Sequence, residues 1–153
     1  MASKNIKFYW PNTIKLMMEP VACPRPRVTK RGIAYYPEAY RNFKKSSVDV
    51  LTSQWKDPPL TKPLSVSIIF LHTKPKSKVR KKTANVRIPR VRARGDLDNF
   101  IKSILDSLQS GGVIKNDSQV WKIEAESWYA ALDEQASITI TLTELQSGVW
   151  SGV

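Results

Sequence analysis

The chain has 153 residues, with 25 Lys and Arg against 13 Asp and Glu, a formal net charge of +12 and a pI near 10.0. A hydrophobic fraction of 41% with five tryptophans fits one folded domain and excludes a disordered basic tail. A lone cysteine, Cys23, and a lone histidine, His72, exclude an internal disulfide, a multi-cysteine zinc site and a His-rich or Ser–His centre, so chemistry falls to carboxylates and lysines.

The first residues, MASKNIKFYW, lack the apolar stretch of a secretory signal, and no run approaches the ~20 residues of a membrane span. The expectation is a cytoplasmic protein whose positive surface attracts a polyanion; with no basic amphipathic membrane helix in view, nucleic acid is the expected partner. Residues 5–10 and 12–21 have strand-like character around Pro11. Residues 20–37, PVACPRPRVTKRGIAYYP, carry Arg25, Arg27, Lys30 and Arg31, and Gly32 suits a turn between hairpin arms at 27–30 and 33–36. Pro37 suits the first position of a helix and Glu38 its positive end. Tyr40, Phe43, Val48, Leu51 and Trp55 recur on one face of that helix, which ends before Pro58-Pro59.

LSVSIIFL at 64–71 reads as a central strand, with His72 an ordinary strand-end residue. Residues 74 to 94 then carry ten cations and no acid: Lys74, Lys76, Lys78, Arg80, Lys81, Lys82, Arg87, Arg90, Arg92 and Arg94. Such charge density predicts a mobile arm, or a loop ordered by a ligand, that contacts phosphates. From 97 the spacing of Leu97, Ile101, Ile104, Leu105 and Leu108 predicts a helix with a core-facing stripe, ended by Gly111-Gly112. Residues 119–129 and 136–143 read as two strands of an antiparallel hairpin, the second with Ile138, Ile140 and Leu142 facing one way. The tail at about 146–153 is expected to fray, unless Trp150 docks on a neighbour.

Asp96 and Asp98, in RGDLDNFIKSILDSL, stand at the edge of this basic region. One aspartate suffices to cap a helix, and two neighbouring carboxylates resist joint ionisation unless a cation lies between them. Mg²⁺ suits such oxygen ligands, with Mn²⁺ as a substitute, and would polarise a phosphate and acidify an attacking water. Asp117, in NDSQV at 116–120, offers a further carboxylate if the fold returns it beside Asp96. Lys102 sits one turn after Asp98 and would steady charge on the phosphate or the leaving oxygen. Asp106 continues this stripe and reads as an i,i+4 partner, while Glu124 and Glu126 read as the solvent side of their strand.

These residues resemble a known family. RGDLDNFIKSILDSL followed by NDSQV is similar to the signature of the RusA family of Holliday junction resolvases, and PRPRV with GIAYYP resembles its amino-terminal segment, so the similarity spans most of 20 to 145. The resemblance implies a homodimeric α+β fold: one small domain over residues 1–153, with a mixed sheet and two main helices. It implies a Mg²⁺-dependent endodeoxyribonuclease that nicks two strands of a four-way DNA junction symmetrically, in bacterial cells or phage-infected hosts. It places metal ligands on Asp96, Asp98 and Asp117 and the catalytic lysine on Lys102. Two positions depart from the pattern: Asn116 replaces a common second acid, and Tyr36 replaces a frequent Thr before the helix. The alternatives are a nuclease for forks or flaps, and a non-catalytic basic DNA-binding domain.

Overall fold

In the computed structural model, which describes residues 12–145, the apolar run at 64–72 takes the centre of a five-stranded sheet. This strand, β4 (Leu64–His72), lies between β6 (Val120–Tyr129), parallel to it, and β7 (Ser137–Glu144), antiparallel. Outside β7 pairs β1 (Asn12–Leu16), and outside β6 pairs the short β5 (Ile88–Pro89). The strands expected at 119–129 and 136–143 therefore form, but not as a hairpin. The most deeply buried strand claims the middle, and its two partners take its two edges. The path from β4 through the helix at 97–110 to β6 is the crossover that a parallel pair requires.

One face of this sheet is apolar throughout. Val66, Ile68 and Phe70 of β4 lie opposite Leu142, Ile140 and Ile138 of β7, all essentially inaccessible, and Ile14 and Leu16 of β1 extend the row. Burying each such side chain stabilises by about 1.5–3 kcal/mol, well above an exposed ion pair, so this face fixes the register. On β6 the same face carries Ala125, Ser127 and Tyr129, while Lys122, Glu124 and Glu126 point to the other, exposed side, as their alternation implied.

Two helices cover the apolar face. The first, α1 (Glu38–Gln54), has Pro37 at its N-cap without a side-chain cap, and it buries Tyr40, Phe43, Ser47 and Leu51. The second, α2 (Leu97–Ser110), buries Phe100, Ser103, Ile104, Ser107 and Leu108. Both stripes differ from the expected ones. Val48 is only half-buried and Ser47 replaces it; Leu97 is 39% exposed, and Ile101 and Leu105 are half-buried. The reason is the helix–helix contact, where small residues permit close approach: Ser47 Oγ and Ser107 Oγ lie 2.9 Å apart. Ser103 and Ser107 turn their remaining bonds inward, to the carbonyls of Phe100 (2.8 Å) and Ser103 (2.9 Å). Gly112, at φ +74°, supplies the left-handed residue that ends α2, and the Val113 amide closes on the Leu108 carbonyl at 3.0 Å.

The expected hairpin near 27–36 is a two-stranded ribbon, β2 (Arg27–Val28) with β3 (Ala34–Tyr35), turned at Gly32 with φ +81°. The segment 74–94, expected as a mobile arm, is held at several points. It contains a 3₁₀ turn (Lys76–Lys78), places β5 on the sheet edge and bonds the Arg90 amide to the Ser127 carbonyl at 2.9 Å. The strand expected at 5–10 and the tail at 146–153 lie outside the described residues.

His72 ends β4 as a buried residue packed edge-on against Phe100 at 4.9 Å, with Ser127 Oγ 3.1 Å from its Nε2. Burial, and secondarily the charge of Arg90, pushes its pKa down from 6.5 to about 4. The unfolded chain takes up this proton near 6.5 and the folded chain near 4, so the stability it protects is present above 6.5 and lost as pH falls towards 4. Urea denaturation should find the protein about 2 kcal/mol less stable at pH 5 than at pH 7 from this group, and His72→Gln should lose that part of the slope. Equal slopes in both proteins would contradict the burial argument. At the helix contact, Ser107→Leu should destabilise by roughly 1–3 kcal/mol through overpacking, read as a lower denaturation midpoint.

Candidate active site and its basic approach

The chain enters α2 through Arg94 and Gly95, and the next residue, Asp96, takes the N-cap position in extended conformation (φ −81°, ψ 151°). Its carboxylate accepts no capping bond. Asp98 is the second residue of the helix. Both side chains are exposed, and neither joins the ion pairs found among the described residues, which are Arg87–Glu134 and Lys122–Glu124. The capping explanation therefore leaves both carboxylates unaccounted for. Lys102, one turn on, is likewise exposed and in none of these pairs. Asp106 leaves the stripe: it accepts a bond from the Tyr40 hydroxyl of α1 at 3.3 Å. Burial, then the neighbouring Cys23 and Asp106, holds that phenol well above its ordinary pKa.

Asp117 opens a 3₁₀ turn (Asp117–Gln119) in front of β6. Asn116 caps this turn by accepting the Ser118 amide at 2.8 Å, and Gln119 reaches back to the Asn116 amide at 3.0 Å. The same Gln119 donates to the carbonyls of Leu60 and Lys62, which locks the start of the strand. Asn116 thus caps this turn through its side-chain oxygen, a role that an aspartate fills equally well.

The Asp117 amide donates to Gln109 Oε1 at 3.2 Å, which sets it beside the last turn of α2, whereas Asp96 precedes the first. At ~1.5 Å rise per residue the two ends of α2 are roughly 20 Å apart. A second ruler agrees. Asp96 shares a cavity with Ser127, which lies roughly 20 Å along β6 from its start at a rise of ~3.3 Å per residue. Within one chain the fold does not return Asp117 beside Asp96, and no group of three or more His, Cys, Asp or Glu able to hold a metal is found among the described residues. Asp98, Lys102 and Gln109 nevertheless share one face of α2 by their spacing, so the two acidic ends lie on one stripe.

The cations sort into two sets. Arg25, Arg27, Lys30 and Arg31 on the ribbon, and Lys76, Lys78, Arg80, Lys81, Lys82, Arg92 and Arg94 beyond it, are exposed. Lys74 is buried, with Nζ donating to the Thr83 and Val86 carbonyls at 2.6 Å each. Arg87 makes a bidentate pair with Glu134, which raises the arginine's pKa and lowers the carboxyl's. Arg90 is half-buried and bonded to the carbonyls of Arg94 and Gly95. Three cations that the sequence assigns to phosphate are thus engaged inside the chain, and no local pattern distinguishes them from the rest.

Beside Asp96 lies a cavity of about 190 Å³ lined by Arg90, Arg92, Ala93, Gly95, Leu97 and Ser127. A larger one, about 540 Å³, opens on the other side of Arg90 and Gly95, between Glu19, His72, Phe100 and Tyr129. Asp96 therefore borders a concavity that also holds Arg90 and Arg92, with Asp98 and Lys102 on the adjoining turns of α2. Among the described residues none of Asp96, Asp98 and Lys102 joins an ion pair, an arrangement that suits a phosphodiester. Among the described residues no helix is long and apolar enough to cross a membrane.

Comparison with known proteins bears on the same residues. The uncharacterized protein YqaN of Bacillus subtilis (strain 168) is 26% identical over 136 residues, covering 84% of this chain and 93% of YqaN. The profile of the family described as Endodeoxyribonuclease RusA matches residues 18–143, from just after β1 to the end of β7 and across every element that builds the site. By that match the chain belongs to the RusA family of endodeoxyribonucleases.

Proposed function

We propose that this nuclease resolves four-way DNA junctions in the cytoplasm of a bacterial or phage-infected cell, cutting with Mg²⁺ held by Asp96 and Asp98. The observation that carries the reading is the pair of exposed carboxylates, with no side-chain hydrogen bond or ion pair among the described residues, at the cationic entrance to α2. Their donor chemistry fits a hard divalent ion, which is commonly held by one or two carboxylates, several waters and substrate phosphate. Such an ion, when bound, supplies positive charge to the scissile phosphate and a more acidic water. Lys102 places an exposed ammonium one turn along the same face, where it neutralises charge on a phosphate or leaving oxygen. The exposed cations of the ribbon and of the 76–94 segment hold the backbones of the junction arms without reading bases.

Asp117 joins this site from a second copy of the chain. Leu97, Ile101 and Leu105 form an incompletely buried apolar ridge beside the Asp98–Lys102 stripe, and Trp121 and Ile123 add exposed apolar surface on β6. Two such ridges packed antiparallel across a two-fold axis set the Asp117 end of one α2 against the Asp96 end of the other. The dimer then carries two equivalent sites, matched to two symmetric nicks.

Asp98→Asn should abolish Mg²⁺-dependent cutting of a labelled junction while its affinity for that junction stays equal or rises; retained cutting would overturn the reading. Plain duplex and forks offered alongside should survive, and equal digestion of duplex would reject junction selectivity. Mixing the inactive Asp98→Asn and Asp117→Asn proteins tests the shared site. Heterodimers regain one intact site, so re-equilibrated mixtures should recover about a quarter of wild-type nicking. A mixture that stays silent, although exchange of subunits is demonstrated, would place all ligands in one chain.

A further inference from the structure

A half-buried guanidinium is tolerated only where its donors find acceptors. Arg90 finds them in its own chain: Nη1 donates to the Gly95 carbonyl at 3.2 Å, and Nη2 to the Arg94 carbonyl. Its flat face lies over Phe100 of α2, 5.0 Å from the ring centre, and 5.9 Å from that of Tyr129 at the end of β6. Its amide bonds the Ser127 carbonyl. One side chain thus ties together the sheet edge, the first turn of α2 and the two peptide units immediately before Asp96.

The loop closed in this way is strained and crowded. Arg92 has φ +52°, a left-handed conformation that a non-glycine residue keeps only when its surroundings hold it. Gly95 has φ +91°, and a Cβ there would come within 3.0 Å of Phe100 and 3.3 Å of Ala22. The turn is clamped between Arg90 on one side and Phe100 on the other, and the residue that follows is Asp96.

We infer that Arg90 is a positioning residue for the hydrolytic site: it closes residues 90–95 onto themselves and so fixes the direction in which Asp96 and Asp98 are presented. Despite its place in the basic run it is not a phosphate contact. A supporting group of this kind matters because catalytic carboxylates must be held within a fraction of an ångström. Lysine is not equivalent, since its ammonium lacks the planar, pre-set fork of donors and the flat face that lies against Phe100. The inference rests on the reading of Asp96 and Asp98 as the metal-holding pair.

Arg90→Lys and Gly95→Ala test it from the two sides of the turn, with Asp98→Asn as control. Single-turnover cutting of a four-way junction in Mg²⁺ and junction affinity in Ca²⁺ are measured, together with melting temperature. Both variants should lose cutting rate by roughly 10–100-fold, with affinity within about twofold of wild type and, for Arg90→Lys, a retained cooperative melt. Wild-type cutting by a folded Arg90→Lys would overturn the inference, as would weakened affinity at an unchanged rate, the signature of a phosphate contact. Should Arg90→Lys fail to fold, Gly95→Ala decides, and wild-type cutting by that variant rejects the clamp. Cutting by Asp98→Asn would instead reject the metal-site reading, and the inference with it.

Discussion

The ring of Phe100 lies where the first turn of α2 meets the end of β4, and the acidic turn depends on that contact. It packs on Phe70 at 5.6 Å and takes the edge of His72 at 4.9 Å, both at the C-terminal end of the central strand. Arg90 also lies over it, and Gly95 approaches so closely that a Cβ there would force the ring to give way. Core packing is close to crystal density and tolerates little displacement. The helix entry is therefore referenced to the central, most deeply buried strand of the sheet, although the carboxylates it presents are themselves in solvent. The Cys23 amide, bonded to the Asn99 carbonyl at 2.9 Å, anchors the N-terminal segment to the same turn.

Charge in this chain has two uses that composition alone merges. A net +12 repels itself, and the cost is greatest where cations are consecutive, as in 74–94. Lys74 and Arg90 relieve it locally by turning inward onto carbonyls and Arg87 by pairing with Glu134 at the surface, and each marks a point where the segment is fastened. The cations between those points face outward. A polyanion would thus meet a surface with a defined shape, so less ordering entropy opposes its binding than a free tail would incur.

Much of this was legible in the sequence. The alternation of Ile138, Ile140 and Leu142, the apolar run at 64–71, the turn at Gly32 and the end of α2 at the paired glycines follow from local periodicity and backbone chemistry. The acidic motif was legible by type and spacing, and the family follows from it. Strand order was not, because the sequence of β6 and β7 fits a hairpin as well as it fits two flanks of β4. Nor was the rotation of α2: Ser103 and Ser107 look like surface residues until α1 arrives to cover them. The separation of Asp117 from Asp96 was hidden for a similar reason, since it depends on the length of a helix and a strand laid side by side. Arg90 is the plainest case. Nothing nearby in sequence separates it from Arg92, and only the fold brings Phe100, Tyr129 and two carbonyls around it.

The partial cover on β6 has a consequence for how the molecule behaves at high concentration. Among the described residues β5 pairs with Trp128 and Tyr129 and the Arg90 amide reaches the Ser127 carbonyl, so the stretch of β6 before Ser127 has no strand on that edge. Lys122 and Glu124, paired at 3.2 Å, and Glu126, tied to Trp128, line one side of the edge with charge. Charges so placed make strand addition costly, because a docking chain would have to strip water from them. Charge along this edge thereby guards a partly open ladder against aggregation.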